Sequence, residues 1–215
     1  MSKSMVAGST GLVGKLVVKE LAKKKGKVFA LARNNTSSSN DSIQYLKINY
    51  DSINLSEELK EIEDVFICLG TTIKKAGSKE AFKKVDVDYC LSAARESLKL
   101  GAKNLSIVTS IGADENSSNF YLKMKGLVEK EISKLSFESI SIYRPGLLIG
   151  SREEMRTGEF FAQKIQPLLI DPFLQGSLKK YRSIRAEDLA RYMAKNSGNT
   201  EGINIYYYSD FKKFN

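Results

Sequence analysis

One segment constrains the fold more than any other: three spaced glycines follow a short apolar run and lead into an amphipathic helical pattern. The apolar run is Met5–Ala7, and the helical pattern is Gly11–Lys24. Glycines at a strand-to-helix turn let the backbone approach a pyrophosphate closely, and the helix N-terminus attracts its negative charge. A merely structural turn would not need a third glycine inside the helix, where it costs about 1 kcal/mol. The segment predicts a cofactor-binding loop, the glycine loop, formed by Gly8, Ser9, Thr10, Gly11, Leu12, Val13 and Gly14.

Strand and helix patterns alternate along most of the chain. Strands are predicted at Met5–Ala7, Lys27–Ala32, Tyr45–Asn49, Asp64–Leu69, Asn104–Thr109 and Ser139–Tyr143. Helices are predicted between them at Gly11–Lys24, Lys79–Leu100 and Tyr121–Leu135. This alternation predicts a mainly parallel sheet with right-handed crossovers, which is a doubly wound α/β fold of the Rossmann type. Because no Pro/Gly-rich linker divides the 215 residues, we expect one domain spanning residues 1–215.

The pattern becomes less regular after Gly146. We predict a helix at Glu159–Gln166, a loop at Leu168–Lys180, a helix at Ala186–Lys195 and a late strand at Ile203–Tyr207. Residues from about 147 to 180 should form a substrate-side segment over the carboxyl end of the sheet. Its charged and aromatic residues fit either a small polar or aromatic substrate or an ordinary surface: Arg152, Glu153, Glu154, Arg156, Phe160, Phe161 and Phe173.

Composition and charge exclude several function classes. The chain has no histidine and no CxxC pair, so we expect no metal site and assign proton transfer to Tyr, Lys, Ser or a carboxylate. The net charge of +9 suggests nucleic-acid binding. The lysines are scattered, however, and no zinc-finger spacing or aromatic RNA-binding motif accompanies them. We therefore expect a lysine-rich solvated surface and no nucleic-acid partner.

Location and partners follow from equally simple features. No apolar run approaches the roughly 18 residues of a membrane span, and the first residues lack the apolar core of a signal peptide. We therefore expect a cytoplasmic protein with no membrane partner and with a small-molecule substrate. A protein partner remains open, and the sequence indicates no oligomeric state.

The end of the second predicted strand bears on the choice of cofactor. Arg33 and Asn34 follow it, and no acid occurs before Asp41. NAD-binding folds usually carry an acid here for the ribose hydroxyls, whereas an arginine accommodates a 2′-phosphate through its planar, bidentate donors. We therefore predict NADP(H) as the preferred cofactor, NAD(H) as a possible one, and Arg33 with Asn34 beside it. The alternative is that Arg33 is an ordinary exposed arginine.

A candidate catalytic set follows the fifth predicted strand. Tyr121 and Lys125 are four residues apart and share one face of the next helix, which Lys123 does not. A neighbouring ammonium stabilises a phenolate, so the pair can exchange a proton with a substrate oxygen. Ser110, or Thr109 before it, stands at the carboxyl end of the strand and could hydrogen-bond that oxygen.

Four motifs resemble one known family. They are Cys68–Ser78, Lys84–Tyr89, Ser117–Gly126 and Tyr143–Gly150. With the glycine loop, they resemble the atypical and extended branches of the short-chain dehydrogenase/reductase superfamily. Within it, they resemble the group of Tat-interacting oxidoreductase-like proteins and their bacterial relatives. The similarity runs from about residue 5 to residue 195.

The resemblance implies roles for particular residues. Ser110, Tyr121 and Lys125 would be the catalytic trio, with Tyr121 as general acid in reduction and Lys125 also holding the nicotinamide ribose. Asp86 departs from the family pattern, because many extended members have an asparagine there. The segment 146–180 is also shorter than their nucleotide-sugar-binding segment. Cofactor contacts beyond the glycine loop and Arg33 would come from Asp51, Leu69, Gly70, Thr71, Thr109, Pro145 and Leu148.

Three functions fit this set of residues. The first is an NADP(H)-dependent reductase of small carbonyl compounds, which the intact trio favours. The second is a non-catalytic NADP(H) sensor that acts through a protein partner. The third is an epimerase of nucleoside-diphosphate sugars, against which Arg33 and the short C-terminal segment weigh.

Overall fold

A seven-stranded, all-parallel sheet forms the centre of the protein. The computed structural model describes residues 2–36, 41–55, 59–150, 167 and 170–213. The strands are β1 (Ser2–Ala7), β2 (Gly26–Ala32), β3 (Ile43–Lys47), β4 (Ile62–Ile67), β5 (Asn104–Val108), β6 (Ser139–Tyr143) and β9 (Gly202–Tyr206). Their order is β3-β2-β1-β4-β5-β6-β9, so the chain changes direction across the sheet between β1 and β4. Ligands of open parallel sheets bind at the carboxyl ends of the strands beside such a switch point.

Helices cover both faces of this sheet. They are α1 (Leu12–Leu21), α2 (Ile73–Ala76), α3 (Lys79–Lys83), α4 (Tyr89–Lys99), α5 (Phe120–Ile132), α6 (Ala186–Asn196) and α7 (Tyr208–Phe211). One apolar core contains Phe82, Cys90 and Val128 from the α3–α5 side. The other contains Val17 and Leu189 from the α1 and α6 side. A separate pair of two-residue strands, β7 (Leu148–Ile149) and β8 (Ile184–Arg185), joins the chain after β6 to the start of α6.

The predicted doubly wound α/β fold is confirmed, while several boundaries differ. Helix α1 ends at Leu21 rather than Lys24, because only lysines follow Ala22 before Gly26 and none of them buries apolar surface. The predicted loop Leu168–Lys180 contains two 3₁₀ turns, Asp171–Phe173 and Gly176–Tyr181. The sequence pattern also missed β7, which is too short to alternate. The predicted helix Glu159–Gln166 lies outside the described residues, with Arg152, Glu153, Glu154, Arg156, Phe160 and Phe161.

The predicted helix Lys79–Leu100 is one helical path interrupted by a π turn. Residues Lys84–Asp88 form this turn, and the amide of Tyr89 donates to the carbonyl of Lys84 five residues earlier. The wider turn buries two consecutive residues, Asp86 and Val87, with exposed or half-buried neighbours on either side. Single-turn π segments inside helices occur often at functional sites. The helical periodicity of 3.6 residues that we used to read the sequence does not reveal the extra residue in this turn.

One glycine allows helix α5 to pack closely against the loop that precedes it. A Cβ atom added to Gly126 would lie 2.1 Å from the backbone nitrogen of Glu115 and 2.2 Å from the carbonyl carbon of Asp114. These distances are far inside van der Waals contact, and both neighbours are backbone atoms. The approach fixes the position of α5, which carries the predicted Tyr121 and Lys125.

We expect Gly126→Ala to lower the free energy of unfolding by about 1–3 kcal/mol, because the new methyl group must displace backbone. The exposed Lys123→Ala in the same helix should change it by less than about 0.5 kcal/mol. Urea denaturation of both variants measures the difference. Equal stability of the two variants would contradict the close approach of α5 to the loop.

Candidate active site

The glycine loop fits against the end of β4 through two glycines. Gly8 has a φ of +79°, and a Cβ there would lie 2.7 Å from the carbonyl carbon of Cys68. A Cβ on Gly14 would lie 2.1 Å from the carbonyl oxygen of Gly8. The fold therefore requires both residues to be glycine.

Gly11 is a glycine for a different reason. Its backbone is extended, with φ −77° and ψ 170°, and an added Cβ would be no closer than 3.4 Å to another atom. The fold thus tolerates a side chain at this exposed position. Because Gly11 is the N-cap of α1 and has no side-chain oxygen, the first amides of the helix are available to an anion. The glycine loop therefore fits a pyrophosphate.

Two hydroxyl groups form hydrogen bonds that hold the glycine loop in place. The buried Ser9 donates from Oγ to the carbonyl oxygen of Leu31 at the end of β2 (2.8 Å). The Tyr50 Oη accepts a hydrogen bond from the amide of Gly8 (3.3 Å). Burial raises the pKa of Tyr50 to about 12, so it remains a neutral phenol. Sequence reasoning missed Tyr50, because nothing in its local pattern points to the distant loop.

Three predicted cofactor residues lie near the ends of β2 and β3. Arg33 and Asn34 are exposed, and the Arg33 guanidinium forms no ion pair within the described ranges. Asp51 pairs with the Lys84 ammonium and accepts a hydrogen bond from the Tyr89 Oη (2.8 Å). The contact with Lys84 is the main cause that lowers the pKa of Asp51. The Asp51 carboxylate is therefore charged but already shared with two partners.

A buried ion pair lies under the end of β4. The Lys125 ammonium is 2.7 Å from Asp86 Oδ1, and the two side chains are only 6% and 1% exposed. The other carboxylate oxygen accepts a hydrogen bond from the amide of Thr71 (2.8 Å). A Cβ on the exposed Gly70 would lie 3.8 Å from the Lys125 Nζ. The Lys125 ammonium is thus directly beneath Gly70, at the carboxyl edge of the sheet.

Tyr121 and Ser110 reach the same edge by different routes. Tyr121 is 38% exposed, and its ring centroid is 5.9 Å from the Lys125 Nζ. The amide of Ile111 donates to the carbonyl of Pro145 (2.9 Å), which extends the β5–β6 ladder and sets Ser110 next to Pro145. The amide of Asp114 donates to the carbonyl of Leu122 (3.2 Å), so the loop after Ser110 is tied to the first turn of α5.

Thr109 is turned away from this edge. Its buried hydroxyl donates to Glu129 Oε1 (2.5 Å), and Glu129 also pairs with the Arg144 guanidinium, whose Nε lies 3.0 Å from Oε1. This pairing with Glu129 raises the pKa of Arg144. The sequence left two candidates for the hydroxyl that would bind the substrate oxygen. Of these, the Thr109 hydroxyl is part of a buried structural network. The half-buried Ser110 hydroxyl remains at the edge, where it donates to the carbonyl oxygen of its neighbour Ile111 (3.3 Å).

The chain after β6 packs against the residues that precede β8. A Cβ on Gly146 would lie 2.6 Å from the carbonyl oxygen of Arg182. Leu148 pairs with Ile184 in β7 and β8, and a Cβ on Gly150 would lie 2.8 Å from Leu12 Cδ1. Of the predicted nicotinamide neighbours, Leu148 thus lies two residues before a contact with the glycine loop, while Pro145 lies beside Ile111. Leu69 is half-buried and packs on the core under β4.

Comparisons with known proteins agree with this geometry. A family model described as NAD(P)H-binding matches residues 8–160. Protein HTATIP2 of Rattus norvegicus is 35% identical over 180 residues, covering 80% of this chain and 73% of that protein. The mitochondrial protein FMP52 of Candida albicans is 36% identical over 184 residues, covering 82% and 80%. These matches confirm the resemblance that the four motifs indicated.

A solved structure gives the same fold. The putative NAD-dependent epimerase/dehydratase from Bacillus halodurans superimposes with a TM-score of 0.66 at 23% identity, covering 94% of this chain and 92% of that one. At this identity the match supports the architecture alone.

The expected cytoplasmic location is wrong. Several of the similar FMP52 proteins are named as mitochondrial. The sequence argument rested on a missing signal peptide, which bears on secretion and not on import into an organelle. Among the described helices, none has the length and apolarity needed to cross a bilayer.

We expect Gly14→Ala and Gly11→Ala to separate folding from ligand binding. Gly14→Ala should lower the free energy of unfolding by about 1–3 kcal/mol, since its Cβ meets the Gly8 carbonyl. Gly11→Ala should change stability by less than about 0.5 kcal/mol but weaken NADPH binding about tenfold, because its methyl group fills the phosphate approach. Urea denaturation and calorimetric titration measure the two quantities. Unchanged NADPH affinity in Gly11→Ala would contradict the role of the loop.

Proposed function

The chain belongs to the NAD(P)H-binding family, and we propose that it is an NADP(H)-dependent oxidoreductase acting on a small carbonyl or alcohol substrate. One observation carries this proposal: the buried Lys125 ammonium lies beneath Gly70, one helical turn from the half-exposed Tyr121. A phenol and an ammonium in this relation can move a proton to a substrate oxygen.

In this proposal the predicted residues would contact the cofactor along its whole length. The amides of the glycine loop would hold the pyrophosphate, Arg33 and Asn34 the 2′-phosphate, and Asp51 the adenine end. Gly70 and Thr71 would line the middle, with Leu69 beneath them, and Pro145 and Leu148 would abut the nicotinamide. Thr109 would contribute through its backbone. When bound, the cofactor supplies or accepts the hydride.

The remaining chemistry belongs to the protein's own side chains. The Tyr121 Oη would donate its proton to the carbonyl oxygen during reduction. Ser110 Oγ would hydrogen-bond the same oxygen as negative charge develops on it. The Lys125 ammonium would stabilise the phenolate that remains on Tyr121 and donate to the ribose hydroxyls. The proposed substrate-side segment of this single domain, from about 147 to 180, lies in large part outside the described residues.

We expect Arg33→Ala to weaken NADPH binding by about 10- to 100-fold while changing NADH binding less than about threefold, because only NADPH carries the 2′-phosphate. Arg95→Ala removes an equal charge from an exposed position on α4 and serves as the control. Calorimetric titration with both cofactors at one salt concentration measures the affinities. Equal weakening of NADPH and NADH would refute the 2′-phosphate assignment.

We expect Tyr121→Phe to reduce turnover by about 10²–10⁴-fold, since the phenyl ring keeps its packing but has no proton to donate. NADPH affinity should stay within about twofold of the wild type. The measurement is NADPH consumption with a panel of aldehydes and ketones, beside a calorimetric titration. Turnover that survives in Tyr121→Phe would exclude Tyr121 as the proton donor. A wild type that binds NADPH but turns over no carbonyl in the panel would favour the sensor function.

A further inference from the structure

The partner of Lys125 is the least expected feature of this site. Asp86 and Lys125 are both charged groups, and water reaches almost none of either side chain. Taking two charges out of water is costly, and their attraction offsets that cost only when the geometry is good and the other polar atoms are satisfied. Here Asp86 Oδ1 has an ion-pair partner in the Lys125 Nζ at 2.7 Å, and Asp86 Oδ2 accepts a hydrogen bond of 2.8 Å from the Thr71 amide.

One carboxylate therefore connects three parts of the site. Asp86 itself lies on the π turn, Thr71 on the loop after β4, and Lys125 on α5. The π turn buries Asp86 together with Val87, so the carboxylate reaches Lys125 while Phe82 and Cys90 still pack in the core. An asparagine at position 86 could keep the contact with Thr71 but would carry no charge for Lys125.

Gly70 lies next to the pair at the carboxyl edge of the sheet. Its hypothetical Cβ would lie 3.6 Å from Asp86 Oδ1 and 3.8 Å from the Lys125 Nζ. Gly70 is exposed, and no side chain of its own stands between the pair and a ligand at this edge. A ligand bound against Gly70 would therefore lie close to the Lys125 ammonium.

We propose that Asp86 is a positioning residue, whose carboxylate keeps Lys125 protonated and aimed at the cofactor beneath Gly70 while it aligns the Thr71 amide. The inference rests on the proposed function, and it assigns a role to the acidic residue that stands where many family members have an asparagine. Asp86 acts through Lys125 and Thr71, and not on the substrate.

The charges around Lys125 set the expected pH behaviour. The titratable groups that act on it are Asp86 on the π turn, Tyr121 on its own helix and Cys90 on α4. Burial is the largest single effect and lowers the pKa of Lys125, but the three groups together outweigh it, with Asp86 first among them, so the net pKa is raised. Burial also raises the pKa of Cys90 to about 12, so its thiol stays neutral below that pH. Without the carboxylate, burial would dominate and Lys125 would lose its proton at a lower pH.

The test is a double-mutant cycle on NADPH affinity at two pH values. Wild type, Asp86→Asn, Lys125→Gln and the double variant are titrated with NADPH by calorimetry at about pH 6 and about pH 9.5. Asp88→Asn, an exposed residue of the same turn, is the matched control. Because the readout is binding, the test does not depend on an identified substrate.

At the higher pH, Asp86→Asn should bind NADPH about tenfold more weakly than wild type and as weakly as Lys125→Gln, since both lack the ammonium. The double variant should be no weaker than either single variant. At the lower pH, affinity should recover in Asp86→Asn but not in Lys125→Gln. Asp88→Asn should follow the wild type at both pH values.

Several results would overturn the inference. These are a pH profile of Asp86→Asn that matches wild type, no recovery at low pH, or additive losses in the double variant. If wild type binds NADPH normally in these cases, only the role of Asp86 fails. If wild type binds neither NADPH nor NADH, the proposed function fails with it.

A second measurement uses the wild-type protein, in case Asp86→Asn does not fold. The ¹⁵N signal of the Lys125 ammonium, assigned by its loss in Lys125→Gln, should persist to about pH 10. Deprotonation of Lys125 below about pH 9 would overturn the inference.

Discussion

The close backbone contact between the glycine loop and the end of β4 is the constraint on which the site depends. Gly8 lies against the carbonyl of Cys68, and Gly14 lies against Gly8, with no room for a methyl group at either position. This contact sets the N-terminus of α1 at the switch point between β1 and β4. Since every strand of the sheet is parallel, the ends of β2, β4, β5 and β6 all deliver their residues to the same edge.

Helix α5 is held at this edge by two charged pairs of different kinds. Lys125 meets Asp86 beneath the loop after β4, and Glu129, one turn later, meets Arg144 and the Thr109 hydroxyl. In a low-dielectric surrounding, a pair with good geometry tolerates little displacement, because either charge alone would be costly. The two pairs thereby fix both the rotation of α5 about its axis and its distance from the sheet.

The sequence predicted the sheet, the glycine loop and the helix of Tyr121 and Lys125, because these features are local and periodic. It could not predict contacts that join distant segments. Tyr50 supports Gly8 from 42 residues away, and Asp86 meets Lys125 through a π turn that interrupts the helical period. The sequence also left Thr109 and Ser110 as alternatives for one role. Their hydrogen bonds separate them, because the Thr109 hydroxyl is buried against Glu129 whereas the Ser110 hydroxyl donates to the adjacent backbone carbonyl at the edge.

The π turn has one more consequence, for the angular phase of the helical path from Lys79 to Lys99. An extra residue in one turn rotates everything after it by about 100° relative to a regular helix. Residues before the turn, such as Phe82, and residues after it, such as Cys90, therefore face the same core although their spacing of eight does not match two regular turns. A regular α-helix through the same residues would place Cys90 about 80° around the axis from Phe82, because eight residues exceed two turns of 3.6. The π turn that buries Asp86 therefore also keeps the two halves of the path packed on one core.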